Sequence, residues 1–347
     1  MNFTNTLTRW YSINKRMMPW RLTKDPYKIW LSEIILQQTQ IKQGLPYYEV
    51  FVKTFPTVFD LANSSEEKVL KLWQGLGYYS RARNLHFTAK RIASEFEGIF
   101  PNSYEQLLEL KGIGDYTASA IASICFNEPS AVVDGNVYRV LSRYFGILTP
   151  INSSAGVKEF KSIAQKVLDR SNPGDHNQAI MEFGARQCKP NNPDCSVCPL
   201  HEGCYALKNE MTARLPIKIK KAKVKKKYFN YVVLVSNNEE TVLEKRQGNG
   251  IWQNLYQFPL IESDRSLTMN TLKKHQKFKE LIETENGKIK LFNDKDIIHK
   301  LSHQHLYTKF WIVEIDALAK KTIPLTSIRR YPVPILINNF IEEFWAN

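Results

Sequence analysis

Apolar residues recur every three to four positions through 27–43, 78–95, 104–110, 116–126, 137–146 and 157–169, the spacing that lines one face of an α-helix. The pattern predicts helix after helix over the first two hundred residues. Gly44 and Gly146 follow helical runs as C-terminal caps do. Pro101-Asn102-Ser103 and Asn172-Pro173-Gly174 read as short links. No strand–helix–strand alternation accompanies them, which excludes a Rossmann-type sheet. Beyond residue 227 the texture changes. Segments 228–236 and 241–246 read as a strand, an Asn-Asn turn and a second strand, 272–283 as a helix, 288–292 and 306–315 as extended, and 333–344 as a closing helix. That is an α+β module of about 120 residues, an ordinary domain size. No internal repeat is evident.

At 347 residues and 40.3 kDa the chain exceeds what one core usually organises. Two domains are expected: a helical one over 1–212 and an α+β one over 228–347, joined by 213–227. Hydrophobic residues at 43% and charged residues at 24% exclude a disordered or collagen-like chain. No basic stretch leads into an apolar run at the N-terminus, and no stretch approaches the ~20 apolar residues of a membrane span. The chain is therefore expected in the cytosol, or at the nucleoid of a cell without a nucleus, and away from membranes. The formal charge of +14 points to a polyanionic partner. The two domains carry +4 and +2, and the joining segment, with eight basic residues and no acid, carries the rest. Such a run reads either as a solvated spacer or as a strap along a phosphate backbone, and composition leaves both open.

Cys188, Cys195, Cys198 and Cys204 lie at a 6-2-5 spacing, with prolines at 190, 193 and 199 among them. Four thiolates in one compact loop suit an iron–sulfur cluster or a structural zinc. Zinc loops more often pair two C-x2-C knuckles, and this loop has one. The spacing resembles the 4Fe-4S loop of endonuclease III and the adenine DNA glycosylases. Cys125, inside the apolar run Ile121-Ala-Ser-Ile-Cys-Phe126, reads as core.

Leu110-Lys-Gly-Ile-Gly-Asp-Tyr-Thr-Ala118 sits between two helical runs. Gly112 and Gly114 permit a tight turn, after which the free N–H groups of the next helix form an anion site. By itself a G-x-G turn is a helix connection. Twenty residues beyond Gly114, Asp134 stands just before another helix. The plain reading of Asp134 is an N-cap. The same geometry holds a carboxylate anionic, where it could steady a positively charged sugar. The hairpin, the aspartate and the cysteine loop occur in the order found in the helix-hairpin-helix glycosylase superfamily, and the resemblance covers most of 1–212. It implies an all-α glycosylase fold acting on double-stranded DNA.

Bifunctional members of that superfamily carry a lysine after the hairpin that attacks the sugar. Tyr116 holds the matching position here, and a phenol cannot form an imine. Lys111 reads as a surface or phosphate contact. Trp30-Leu-Ser-Glu-Ile-Ile-Leu-Gln-Gln-Thr-Gln40 resembles the E-x-x-L-Q-Q-T segment of adenine glycosylases of the MutY type. Pro19-Trp20-Arg21 and the stretch 75–86 match the same family. The resemblance implies roles residue by residue. Glu33 would protonate a flipped adenine and later activate water, Asp134 would stabilise the oxocarbenium-like sugar, and Tyr116 and Asn136 would line the site. Arg21, Gln38, Tyr78, Gly112 and Gly114 would meet DNA, Gln38 and Tyr78 by filling or wedging the base stack. An apolar pocket favours the neutral, proton-bearing form of Glu33. Taken singly, Glu33 would be a half-exposed helical glutamate, and Gln38 and Tyr78 ordinary packing.

The second module resembles the MutT-like, or Nudix-like, domain of this family, which recognises 8-oxoguanine. Gly250-Ile-Trp-Gln-Asn-Leu-Tyr-Gln-Phe-Pro259 matches the G-L-W-x-x-L-x-x-F-P stretch, and Leu301-Ser302-His303 the F-S-H loop, with leucine in place of phenylalanine. Ser302 and His303 are therefore expected at the oxidised base. A working Nudix hydrolase needs G-x5-E-x7-R-E-x-x-E-E-x-G. The nearest approach, 279–287, lacks the arginine, one glutamate and the upstream half, so recognition alone is expected. Together these features predict a monofunctional, monomeric glycosylase that excises adenine opposite 8-oxoguanine or guanine, contains a 4Fe-4S cluster and meets replication or repair proteins. The rivals are a bifunctional pyrimidine glycosylase/lyase and a non-catalytic iron–sulfur DNA-binding protein.

Overall fold

The helical periodicity resolves into α1 (Phe3–Asn14), α2 (Pro26–Leu36), α3 (Ile41–Thr54), α4 (Val58–Asn63), α5 (Glu66–Leu72), α6 (Ser80–Glu95), α7 (Tyr104–Leu108), α8 (Asp115–Phe126), α9 (Gly135–Phe145), α10 (Ser154–Val167), α11 (Pro173–Arg186) and α12 (Tyr205–Lys208). This computed structural model describes residues 3–219, 224–282, 287–318 and 321–345. The expected single helix over 27–43 is two. Gln37 turns extended at the end of α2 and Gln38 adopts φ +55°, so the chain bends before α3 begins. Gly44 consequently lies inside α3 instead of capping a helix. A Cβ there would stand 2.7 Å from Leu36 Cδ2, so the glycine lets α3 close on the end of α2. Gly146 does cap α9, in the left-handed conformation.

The chain divides into two units, residues 1–63 with 84–220, and residues 64–83 with 221–347. The helical unit has a core of Phe3, Leu7, Val137, Leu141, Phe160, Ile180 and Phe183, drawn from α1, α9, α10 and α11. Val137, Val140 and Leu141 recur at helical spacing on the buried face of α9, yet Arg139 and Arg143 of the same helix are also buried. Helix α11 is not among the periodic runs, and Asn172-Pro173-Gly174 reads in the sequence as a link. Pro173 is in fact the first residue of α11, where a missing N–H costs nothing.

The second unit is built on β1 (Lys225–Ser236) and β8 (Gln304–Ile315), parallel and in register along their whole length, Lys225 opposite Gln304 through Ser236 opposite Ile315. Short strands β2 (Glu240–Thr241) and β5 (Leu260–Ser263) pair antiparallel with β1, and β6 (Lys288–Leu291) and β7 (Ile297–Lys300) with β8. β9 (Ile323–Pro324) extends the edge at β2, and β3 (Glu244–Lys245) with β4 (Tyr256–Gln257) forms a separate ladder. The expected strand over 241–246 is thus split between two sheets. β1 is buried on both faces from Phe229 to Leu234, as a covered central strand is. One face holds Val232, Leu234, Trp311 and Val313 against α13 (Met269–Lys274) and α14 (Gln276–Leu281). These two helices replace the single one expected over 272–283, because His275 turns extended between them; Glu283 lies outside the described residues. On the other face Tyr231 stacks on Phe310, and Phe310 on Phe340 of α15 (Ile335–Phe344) at 4.1 Å. The last three lysines of the basic segment belong to β1, so the joining segment ends earlier than composition suggests. The degenerate Nudix stretch 279–287 falls partly outside the described residues. No helix among the described residues is long and apolar enough to cross a membrane.

Candidate active site

Glu33 sits near the end of α2, between the buried Ser32 and Ile34. Loss of hydration lifts its carboxyl, the Tyr116 hydroxyl bonded to it pulls it back, and the charges of Asp134 and Arg21 act in opposite directions, leaving it at about 7. A glutamate held there is a proton donor near neutrality. Tyr116 is in the first turn of α8. Its phenol is raised well above 10 by burial and by the charges of Glu33 and Asp134, so it stays protonated. Its one proton is shared between Glu33 and Met181 Sδ of α11, which lies 3.2 Å from the phenol oxygen.

Asp134 caps α9. Its Oδ1 accepts from the amides of Asn136 at 2.9 Å and Val137 at 2.8 Å, and its Oδ2 from Asn136 Nδ2 at 2.8 Å. Burial leaves this carboxyl above its ordinary value, and the Val137 and Asn136 donors and the Arg139 charge limit the rise. Three donors on two oxygens suit the anion, since a protonated oxygen would turn a donor against them. Asn136 is fixed in turn: its Oδ1 accepts from Arg139 at 2.9 Å, and Arg139 also donates to the carbonyls of Gly184 at 2.6 Å and Cys188 at 2.7 Å. One line of bonds therefore runs from the Asp134 carboxylate to the first cysteine of the loop.

The four cysteines are free and half-buried, and Cys188 and Cys198 pack on the helical core. Arg143 grips the loop, donating to the Lys189 carbonyl at 2.7 Å, the Pro190 carbonyl at 3.0 Å and Cys188 Sγ at 3.4 Å. Among the described residues no three His, Cys, Asp or Glu side chains are arranged to hold a metal ion as they stand. The donor set is nonetheless four thiols of one loop beside two buried arginines, which fits a thiolate-ligated centre of net negative charge.

At the hairpin, Gly112 has φ +85° and approaches Asn84, where a Cβ would lie 2.7 Å from the asparagine Cβ. Thr88 donates to the Lys111 carbonyl at 2.7 Å. Gly114 caps α8 with no side-chain cap bond and with open space at the position of its missing side chain. Gln38 is exposed at the bend after α2.

Arg21, read from the sequence as a DNA contact, is engaged inside the protein. Its guanidinium donates to Glu182 Oε2 at 2.9 Å and to the Arg16 carbonyl at 2.9 Å. Arg16 spans both oxygens of the same carboxylate, Nε to Oε1 and Nη2 to Oε2, each at 2.7 Å. Burial would raise Glu182, but these bonds reverse that and hold it down at about 2. The structure thus gathers Glu33, Tyr116, Asp134 and Asn136 into one site. Met181, Glu182 and Gly184 of α11, together with Arg139, join it unannounced by any motif. The helical spacing of Ala179, Ile180 and Phe183 was the available signal.

Tyr78, Ser302 and His303 belong to the second unit. Ser302 and His303 are exposed at the tip between β7 and β8, with Ser302 Oγ 3.5 Å from His303 Nδ1. The Lys225 amide donates to the His303 carbonyl at 3.2 Å. The Gly250–Pro259 stretch runs from the exposed Gly250 inward. Trp252, Leu255 and Phe258 are buried, with Trp252 and Asn254 in left-handed conformations.

Residues 31–170 match the HhH-GPD superfamily of base excision DNA repair proteins, and residues 230–343 match the NUDIX domain. A protein named adenine DNA glycosylase from Buchnera aphidicola subsp. Baizongia pistaciae is 38% identical over 317 residues, 90% of this chain and 86% of its own. The adenine DNA glycosylase of Homo sapiens is 43% identical over 213 residues, 59% of this chain and 39% of its own. A thermostable thymine-DNA glycosylase structure superposes with a TM-score of 0.56 at 28% identity, covering 60% of this chain and 95% of that one. An endonuclease III–DNA complex, at 20% identity, a TM-score of 0.52, and 60% and 94% coverage, shares the helical fold. With a relative matched along nine-tenths of this chain and both domain families found in order, the chain belongs to the adenine DNA glycosylase family.

Proposed function

We propose that the chain hydrolyses the N-glycosidic bond of adenine in double-stranded DNA, at adenines opposite 8-oxoguanine or guanine. One observation carries this reading: two buried carboxyl groups close enough to act on each other's charge but differently furnished, Glu33 pushed up to about 7 and Asp134 held by three donors that suit its anion. Adenine leaves poorly as an anion and well once a ring nitrogen is protonated. Glu33 supplies that proton to a base turned out of the stack, and its carboxylate then takes a proton from the attacking water. Asp134 faces the cationic sugar that remains, following the two-carboxylate logic of sugar hydrolysis. Tyr116 holds Glu33 and offers no amine, so the reaction ends at the abasic site without strand cleavage. Phosphate binds at the Gly112–Gly114 amides, Gln38 and Tyr78 fill the vacated stack, and Ser302 and His303 read the opposite base. Arg21, through Glu182, positions the approach to α2. Cys188, Cys195, Cys198 and Cys204 hold a 4Fe-4S cluster, which when bound pins the loop and supplies a redox-capable centre.

Single-turnover release of free adenine from duplexes with A·8-oxoG, A·G, A·C and A·T tests the reading. Fast release from the first two, no borohydride-trapped adduct and no strand scission without alkali are expected. Equal release from A·T, or trapping with spontaneous scission, overturns it. Visible absorbance with about four irons per chain is expected for the cluster, and stoichiometric zinc overturns that part.

A further inference from the structure

Residues 64–83 fold with 221–347, and polar bonds in this unit converge on one side chain. Gln74 directly precedes the turn Gly75-Leu76-Gly77-Tyr78, and both atoms of its amide are in use. Its Oε1 accepts from the Val333 amide at 3.2 Å and from Lys71 Nζ at 3.2 Å; its Nε2 donates to Asn338 Oδ1 at 2.6 Å. Lys71 also donates to the Tyr331 carbonyl at 3.3 Å. On the far side of the turn, the Tyr79 hydroxyl donates to the Val333 carbonyl at 3.4 Å and accepts from the Gly75 amide at 3.4 Å. The turn is therefore tied at both ends to residues 331–338.

A turn of this shape needs such ties. Gly75, Gly77 and Tyr78 have φ of +101°, +74° and +47°. A tyrosine persists in the left-handed region only where its surroundings over-determine the backbone. Bonds inside the turn keep its shape: Trp73 Nε1 donates to the Gly77 carbonyl at 3.0 Å, and Arg81 reaches the Leu76 and Gly77 carbonyls. The Tyr78 ring, half exposed, stands clear beside the Arg81 guanidinium. Shape comes from within, and placement comes from the strand-rich module through Gln74.

We infer that Gln74, with Lys71, is a positioning residue that locks the Tyr78 turn to the module bearing the Ser302–His303 tip, so that stack filling and reading of the opposite base act as one rigid element. The inference rests on the proposed roles of Tyr78 and of that tip. A misplacement of about 1 Å in a positioning element costs up to ~100-fold in rate.

The test is a double-variant cycle in the full-length chain. Adenine release from A·8-oxoG and A·G is followed in single turnover, with 2-aminopurine beside the oxidised base reporting stacking. Gln74→Leu is expected to slow A·8-oxoG by about tenfold and to lower its advantage over A·G, and Tyr78→Ala to do the same. The double variant should be no slower than Tyr78→Ala alone, since coupled residues fail to add. Gln74→Glu should restore the parental ratio. Its carboxylate still accepts from Val333 and Lys71, and a turned Asn338 amide donates to it. If Gln74→Leu does not fold, Asn338→Ala runs the same cycle from the other end of the bond. Additive losses, or a Gln74→Leu chain with parental ratio and stacking signal, overturn the inference alone. A Tyr78→Ala chain identical to the parent overturns the stack-filling reading and the inference with it.

Discussion

Glu33 and Glu182 are the same amino acid moved in opposite directions by what surrounds them. Burial lifts Glu33 from its ordinary 4.5 to about 7, while the Arg16 and Arg21 bonds, against the opposing effect of burial, hold Glu182 near 2. For Glu33 the folded protein keeps a proton that the unfolded chain gives up, so stability declines as pH rises from 4.5 to 7 and then levels. For Glu182 the stabilisation is complete above 4.5 and is lost as pH falls toward 2. Chemistry that needs the Glu33 proton follows the first sign. Adenine release should hold steady below pH 7 and fall above it, with an apparent pKa of about 7. Glu33→Gln, which keeps the shape but carries no labile proton, should cost about a hundred- to ten-thousand-fold and flatten the basic limb. A single-turnover pH profile in which the limb survives in Glu33→Gln assigns the proton to another group.

At the scale of elements, the site depends on how closely α9 and α11 cross. Gly184 of α11 lies against the start of α9, where a Cβ would stand 2.7 Å from Asn136 Cβ and 2.9 Å from the Asn136 carbonyl oxygen. Its own carbonyl takes the Arg139 bond. Gly184→Ala must push the helices apart at the residue that donates to Asp134. A stability loss of about 1–3 kcal/mol by thermal melting is expected, as for other overpacked sites. Adenine release should slow by more than duplex affinity weakens, and equal losses in the two would place the damage outside the site. This crossing was not legible in the sequence. The helix-hairpin-helix turn, the Asp134 cap and the cysteine loop announce themselves because their chemistry is local: glycines at a turn, a carboxylate before a helix, thiols at short spacing. Arg139 and Gly184 meet across α9 and α11, and Met181 meets Tyr116 of α8; no local pattern marks a side chain for what it meets forty-five or sixty-five residues away in the chain. The break after α2 escaped for a related reason. Gln37-Gln38-Thr39 carries no glycine or proline, and the left-handed conformation of Gln38 is not one its own side chain favours.

At the scale of the molecule, charge is the property that composition shows most plainly and places least well. The sequence sets eight of the basic residues between 213 and 228 and leaves spacer and strap undecided. The fold settles part of that. Lys225, Lys226 and Lys227 are strand residues, opposite Gln304, His305 and Leu306 and exposed beside the Ser302–His303 tip. Lys227 is paired with Glu262 at 3.3 Å, while Lys226 lies over the Tyr307 ring. A lysine fixed in a parallel ladder is already ordered before DNA arrives, so meeting a phosphate adds counterion release without the entropy of ordering a loose tail. Lys225→Gln with Lys226→Gln should therefore weaken binding to matched and mispaired duplexes alike. It should also flatten the slope of log affinity against log salt by up to about two, roughly 0.9 for each phosphate no longer neutralised. The ratio of A·8-oxoG to A·G release should stay at the parental value, because phosphates carry no base identity. An unchanged salt slope would make the end of the segment a solvated spacer that happens to enter a strand; a changed ratio would move these lysines from the backbone to the base.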